Sequence, residues 1–330
     1  MLLRQALLNY LYNIRSLQSI PYNNENICYR DINVFNVCAK NMNDANNKKR
    51  ENIIASIIDN MRVRTDTTNP YNQYYRFSRR WSNIKDAIFN YIHNELNINI
   101  NKDISLIHRG GRKYNYDFEI KSEEDTYNIE LKFNANSVSN TPQFVSPYNP
   151  SKYLDTPYEE YYYDNYLPKL KSLRDDLVFP DKSTYIREIN SPSPDCMKMY
   201  KDIYDKGCKG NKKKSNIKYT GDPKDIEFYN LANKLSKESI KTFIAKTVLN
   251  IDLLNEYLIS SQKNKIYMLY KNGKFYKQII DPSNYMIVSY TICNKCKNKF
   301  LAKTQEGKNI KILLRWKNGN GIAFPAFQIK

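Results

Sequence analysis

The sequence predicts an α+β protein, with helices followed by an antiparallel β-meander that contains a hairpin, and then a basic, β-rich C-terminal part. Three observations predict it. Apolar residues recur at helical spacing in 47–61 and 82–96, the period changes to alternation after Ile104, and Asn272-Gly273 separates two alternating runs.

The first 60 residues read as helical segments, and within 47–61 Ile53, Ile54, Ile57, Ile58 and Met61 share one face. Residues 65–80 form a polar loop rich in Tyr and Arg. Ser82 is placed to cap the next helix, whose apolar positions are Ile84, Ala87, Ile88, Tyr91, Ile92 and Leu96. Short strands follow over 104–108, 116–121 and 127–134, the last two joined by the acidic turn Ser122-Glu-Glu-Asp125. Residues 141–219 hold most of the Pro residues and a Tyr-rich stretch at 158–166, and read as irregular. A helical pattern occupies 225–259. The runs 266–270 and 275–280 then make a hairpin, because Asn272-Gly273 tolerates the positive φ of a type I′ turn. Strands over 285–292, 310–316 and 322–329 close the chain. The expected division is a catalytic 1–150, an irregular Tyr/Lys-rich insertion 151–224 and a basic 225–330, the last able to form one continuous domain with the first.

The chain of 330 residues carries 52 Lys+Arg against 34 Asp+Glu, a formal charge of +18. With 41% hydrophobic residues it can build a core, which excludes wholesale disorder. Six Cys are too few for a disulfide scaffold of this length, so a reduced, intracellular, soluble protein is expected. No run reaches the roughly 18 apolar residues of a membrane span, and no membrane partner is expected. Asn, Lys, Ile and Tyr are abundant, as an AT-rich genome would impose, so part of the Lys excess is compositional. The charge is nevertheless concentrated: six Lys lie in 206–218, and eight Lys+Arg stand against Glu306 alone in 295–317. Such clusters suit a polyanion.

In the strand 127–134, Asn128, Glu130 and Lys132 point to one face. A hairpin symmetric about Glu123-Glu124 sets Asp117 opposite Glu130 on that face. Facing carboxylates destabilise a strand pair by up to about 1 kcal/mol and call for a cation. Mg²⁺ fits, because it draws on one or two carboxylates and completes its shell with water and substrate phosphate. Lys132 can then orient or deprotonate the attacking water, and the implied reaction is phosphodiester hydrolysis.

Asp117 followed by Glu130-Leu-Lys132, on a hairpin preceded by a helix, resembles the PD-(D/E)xK nuclease superfamily, which includes most type II restriction endonucleases and many phage and viral nucleases. Tyr116 stands where the family name has Pro. The resemblance covers roughly residues 82–148, and implies a restriction-endonuclease-like α/β core, helices flanking a mixed β-sheet with an antiparallel catalytic hairpin, in which Asp117 and Glu130 bind Mg²⁺, with Mn²⁺ as a substitute, and Lys132 assists the water. It implies a further acidic ligand near the end of the preceding helix, for which Glu95 is the matching residue. Glu119 is a possible extra ligand. The segment 134–146, with Pro142-Gln143-Phe144, and the ending Leu314-Arg-Trp-Lys-Asn-Gly-Asn-Gly-Ile resemble restriction-endonuclease-like proteins of large DNA viruses.

Candidate DNA contacts are Arg76, Arg79 and Arg80, interleaved with Tyr74, Tyr75 and Phe77; Arg112 after the Gly110-Gly111 turn; Gln143; Lys212, Lys213 and Lys214; and Lys311, Arg315 and Lys317. Cys293 and Cys296 form a zinc half-site, against which stands the plainer reading of free Cys in an Asn/Lys-rich loop. The expectation is a Mg²⁺-dependent endonuclease cutting double-stranded DNA, homodimeric if its site is two-fold, with a DNA methyltransferase of the same specificity as a companion. The rivals are a repair, recombination or genome-processing nuclease of low specificity, and a non-catalytic DNA-binding or virion-associated protein.

Overall fold

The structure is a computed structural model. It describes residues 19–22, 25–36, 43–59, 79–99, 104–109, 114–123, 125–133, 135–140, 147, 149–191, 195–210, 221–293, 298–317 and 320–329. The chain divides into two compact units, Met1–Gln143 with Gln262–Ile280, and Phe144–Ser261 with Asp281–Lys330.

The first unit opens with an antiparallel pair, β1 (Ser19–Tyr22) and β2 (Glu25–Cys28), and a 3₁₀ segment, Tyr29–Asn36, where the sequence reads as helical. Helix α1 (Asn43–Asp59) buries Ile53, Ile54, Ile57 and Ile58 completely. Helix α2 spans Arg79–Asn90 and widens into a π turn, Tyr91–Glu95, where Leu96 N–H reaches Tyr91 O at 3.0 Å. Ser82 therefore lies inside the helix rather than capping it, and Asn97, at φ 59°, ends the helical run.

The sheet of this unit is mixed and five-stranded. Strands β3 (Ser105–His108), β4 (Phe118–Lys121), β5 (Thr126–Phe133), β6 (Lys265–Lys271) and β7 (Lys274–Gln278) lie in that order, with β5 and β6 parallel and the other pairs antiparallel. Asn272 and Gly273 both take positive φ, as a type I′ turn requires. Leu106, Phe118, Ile120, Ile129, Leu131 and Met268 form a core with α1 and α2. The hairpin 265–278 thus belongs to the sheet that carries Glu130, within the first unit. Its strands bury Tyr267, Met268 and Leu269, and a lone two-stranded hairpin would leave these in water.

The second unit contains α3 (Tyr158–Asn165), α4 (Leu167–Leu173), α5 (Lys182–Glu188), α6 (Lys198–Gly210), α7 (Pro223–Ile244) and α8 (Ile251–Gln262). Residues 158–210, read from sequence as irregular, are largely helical. The reason is tyrosine: Tyr158, Tyr162 and Tyr166 recur every four residues on a buried face, and Tyr158 OH is satisfied by Ser239 Oγ and Trp316 Nε1, each at 3.0 Å. Asp222 caps α7 through Lys224 N–H at 2.8 Å, with Pro223 in the first turn. A four-stranded antiparallel meander completes the unit: β8 (Ile287–Ile292), β9 (Lys299–Thr304), β10 (Asn309–Trp316) and β11 (Pro325–Ile329), in the order β11-β10-β9-β8. Strand β9 has no counterpart in the sequence reading. Among the described residues, no helix is long and apolar enough to cross a membrane.

Candidate active site

The hairpin has the register of a turn symmetric about Glu123-Glu124, with Phe118 paired to Ile129 and Lys121 to Thr126. At Asp117 it breaks. Asp117 N–H donates to Ile129 O at 2.9 Å, so two residues of one strand face a single residue of the next, as in a β-bulge. The Asp117 side chain takes the vacated ladder position, its Oδ2 accepting Leu131 N–H at 2.9 Å. The expected arrangement, Asp117 directly across from Glu130 in an unbroken register, is therefore corrected by one residue. The carboxylate lies along the sheet between the two strands, flanked by Glu130 and Lys132 on either side of Leu131.

Three further ionisable groups reach this point. Lys265 pairs with Asn128 across the parallel β5–β6 ladder, diagonal to Glu130 on the same face. Helix α1 supplies Glu51, whose carboxylate accepts from Lys48 Nζ at 3.3 Å. Burial pushes the Asp117 carboxyl up, offset by the Leu131 hydrogen bond and by Lys265, Lys48 and Lys132. Glu130, 5% exposed, is pushed well above the carboxylate range by burial and then by Asp117, with Lys265 and Lys132 pulling the other way. Burial also raises Glu51, with Asp117 adding to it. The same burial lowers the Lys132 and Lys265 ammoniums, which Glu130 and Asp117 partly restore. Every member is thus penalised for its charge, and the cluster is a poor device for stability. Buried, mutually perturbed acids and amines are characteristic of reactive sites, although structural ion networks also perturb pKa values.

Glu119, diagonal to Glu130 through its pairing with Asn128, and Glu95 are each held by other partners. Glu119 is held by Arg109 through two bonds of 3.1 and 3.2 Å, by Lys121 at 3.1 Å and by Tyr116 OH at 3.2 Å. The Arg109 guanidinium keeps its carboxyl below the usual range. Glu95 accepts Lys277 N–H at 3.0 Å, on β7, two strands beyond β5. Among the described residues of α1, Glu51 is the acid whose charge bears on Asp117 and Glu130. His108, edge-on to Phe118 at 4.7 Å, is pushed down to about 4 by burial and stays neutral at pH 7.

A divalent cation is implied by the resemblance, and the donor set bears on it. Among the described residues, no group of three or more His, Cys, Asp or Glu side chains is disposed to hold a metal. Asp117 and Glu130 are a pair. Two carboxylates suit Mg²⁺, which dehydrates reluctantly and keeps several waters, and do not suit a closed all-protein cage. The pair fits on those terms. For zinc, Cys293 is buried, and Cys296 lies outside the described residues.

Of the expected DNA contacts, Arg76, Arg112, Gln143, Lys212, Lys213 and Lys214 also lie outside the described residues. Arg79 and Arg80 begin α2. Lys311 and Arg315 lie on β10, with Lys317 just beyond it. Comparison with protein-family models, with curated proteins and with solved structures finds no match.

Proposed function

We propose that the chain is a Mg²⁺-dependent nuclease that hydrolyses phosphodiester bonds in double-stranded DNA, of the restriction-endonuclease type that Asp117 and Glu130-Leu-Lys132 resemble. The observation that carries the reading is the bulge. An Asp has been turned into the ladder beside a buried Glu and a half-buried Lys, at a local cost that hydrophobic residues in these positions would avoid.

In this reading Asp117 and Glu130 hold the metal, which when bound supplies positive charge at the scissile phosphate. The chain does the rest. The lowered ammonium of Lys132 lets its Nζ take a proton from the attacking water more readily than an exposed lysine would. Lys265 keeps compensating charge beside Glu130 from the neighbouring strand. Glu51, steered by Lys48, can orient that water.

The test is digestion of a long, defined duplex with Mg²⁺, followed by sequencing of the ends. Ends sharing one motif support the restriction reading; heterogeneous ends support a repair or processing nuclease. Salt-sensitive binding with intact DNA supports a non-catalytic binder and contradicts both.

A further inference from the structure

The C-terminal meander has an apolar inner face and an outer face on which cations alternate with uncharged residues. Phe300, Ile310, Ile312, Leu314, Trp316 and Phe327 are buried on the inner face, where Trp316 meets Tyr158 of α3. The outer face carries Lys299 and Lys303 on β9, and Lys311 and Arg315 on β10, with Thr291 of β8 and Gln328 of β11 beside them.

Two features separate this face from a merely solvated one. The four strands contain no Asp or Glu at all, in a chain with 34 of them, so nothing on the sheet neutralises the cations. Each cation also stands opposite an uncharged partner: Lys299 faces Leu313, Lys303 faces Asn309 and Ser289, Lys311 faces Leu301, and Arg315 faces Ala326. Like charges set directly across strands would repel, and this interleaving gathers positive charge while avoiding that cost. Arg315 Nη1 donates to Gln328 Oε1 at 3.1 Å, which steadies the guanidinium on the face.

We propose that this outer face grips the sugar-phosphate backbone of duplex DNA without reading its bases. Four strands spaced about 4.8 Å apart span about 14 Å between outer backbones, too wide for a major groove of about 12 Å. The sheet must lie across phosphates, and phosphate contacts position a protein without conveying sequence. An anionic membrane offers similar charge but is held by several aromatic and leucine anchors, and among the described residues the outer face of β9 and β10 exposes no aromatic side chain and one leucine, Leu301. The inference rests on the chain being a DNA-acting protein and is independent of whether it cuts.

The experiment measures binding to two short duplexes of unrelated sequence, in EDTA, over a salt series. It compares wild type, the triple variant Lys299→Gln, Lys303→Gln, Lys311→Gln, and a control with the same net charge, Lys224→Gln, Lys237→Gln, Lys241→Gln on α7. The face variant should weaken both duplexes equally, roughly ten-fold or more at low salt, and flatten the log Kd against log salt slope by roughly 0.9 per lysine removed. The control should change little. Should the triple variant unfold, Lys303→Gln and Lys311→Gln singly give the slope. An unchanged slope, an equal loss in the control, a loss on one duplex only, or no salt-dependent binding of either duplex by wild type would overturn the proposal. Absence of cleavage by wild type would sink the nuclease reading and leave this result standing.

Discussion

Asp117 Oδ2 accepts the Leu131 backbone N–H at 2.9 Å, so a side chain completes the β4–β5 ladder at the point where the backbone has slipped out of register. The bond does two jobs. It satisfies a donor on a residue only 7% exposed, and it holds a carboxylate beside Glu130 and Lys132.

Substitution at Asp117 separates those jobs. Asp117→Asn keeps an acceptor for Leu131 N–H and should change stability by less than about 1 kcal/mol in urea unfolding. Asp117→Ala strands the N–H and should cost roughly 1–3 kcal/mol, less whatever relief Glu130 gains. Equal stability for the two variants would show that the hydrogen bond has no structural weight.

Glu130 is the reverse case, a residue whose charge the fold resists. A carboxyl raised by burial contributes most stability while protonated, and that contribution falls as pH rises above the unfolded carboxylate value. Glu130→Gln fixes the uncharged form. Without metal at pH 7.5, its thermal midpoint should equal or exceed that of wild type while Mg²⁺-dependent cleavage is lost. A clearly lower midpoint would mean that Glu130 is needed as a partner for Lys265 and Lys132.

In the proposed site, the acid donated by a helix is Glu51 rather than Glu95. Glu51→Gln should lower the cleavage rate by roughly 10- to 100-fold, the range expected for a supporting residue. Glu95→Gln still accepts from Lys277 and should leave the rate intact. The opposite ranking in a single-turnover assay would restore the expectation drawn from sequence.

In the second unit, Glu159 is 2% exposed and burial pushes it up to about 7, while Asn190 Nδ2 donates to it at 3.4 Å. The folded state holds a proton that the unfolded chain releases near 4.5, so stability falls as pH rises from about 4.5 to about 7. The total is about 3 kcal/mol, an upper estimate from about 1.4 kcal/mol per pH unit. Glu159→Gln should be more stable than wild type at pH 8 and closely matched at pH 4.5. Parallel unfolding curves at both pH values would contradict this.

The sequence carries the hairpin and its register because both rest on short-range rules. Alternation marks the strands, and an acidic turn centred on Glu123-Glu124 fixes which residues meet. The slip at Asp117 is invisible to those rules, since one residue leaving the ladder alters no pattern. Lys265 is hidden for a different reason: its place beside Glu130 depends on β6 returning to pair parallel with β5 after 131 intervening residues have passed between Phe133 and Lys265. Glu51 lies on a polar helix face that looks like any solvated one. The helices of 158–210 are masked because their buried faces are built from tyrosine, which a simple apolar period does not count. The β8–β11 face was legible only as a charge excess, and its cross-strand interleaving needed the register.

The central claim, that Asp117 and Glu130 with Lys132 form a metal-dependent hydrolytic site, is tested most directly by incubating supercoiled plasmid with wild type and with Asp117→Asn, with and without Mg²⁺. The account predicts nicked or linear product from wild type only when Mg²⁺ or Mn²⁺ is present. The variant should cleave at least about 100-fold more slowly, with unchanged DNA affinity in EDTA. Plasmid left intact by folded, DNA-binding wild type under both metals, or cut equally by Asp117→Asn, would contradict it.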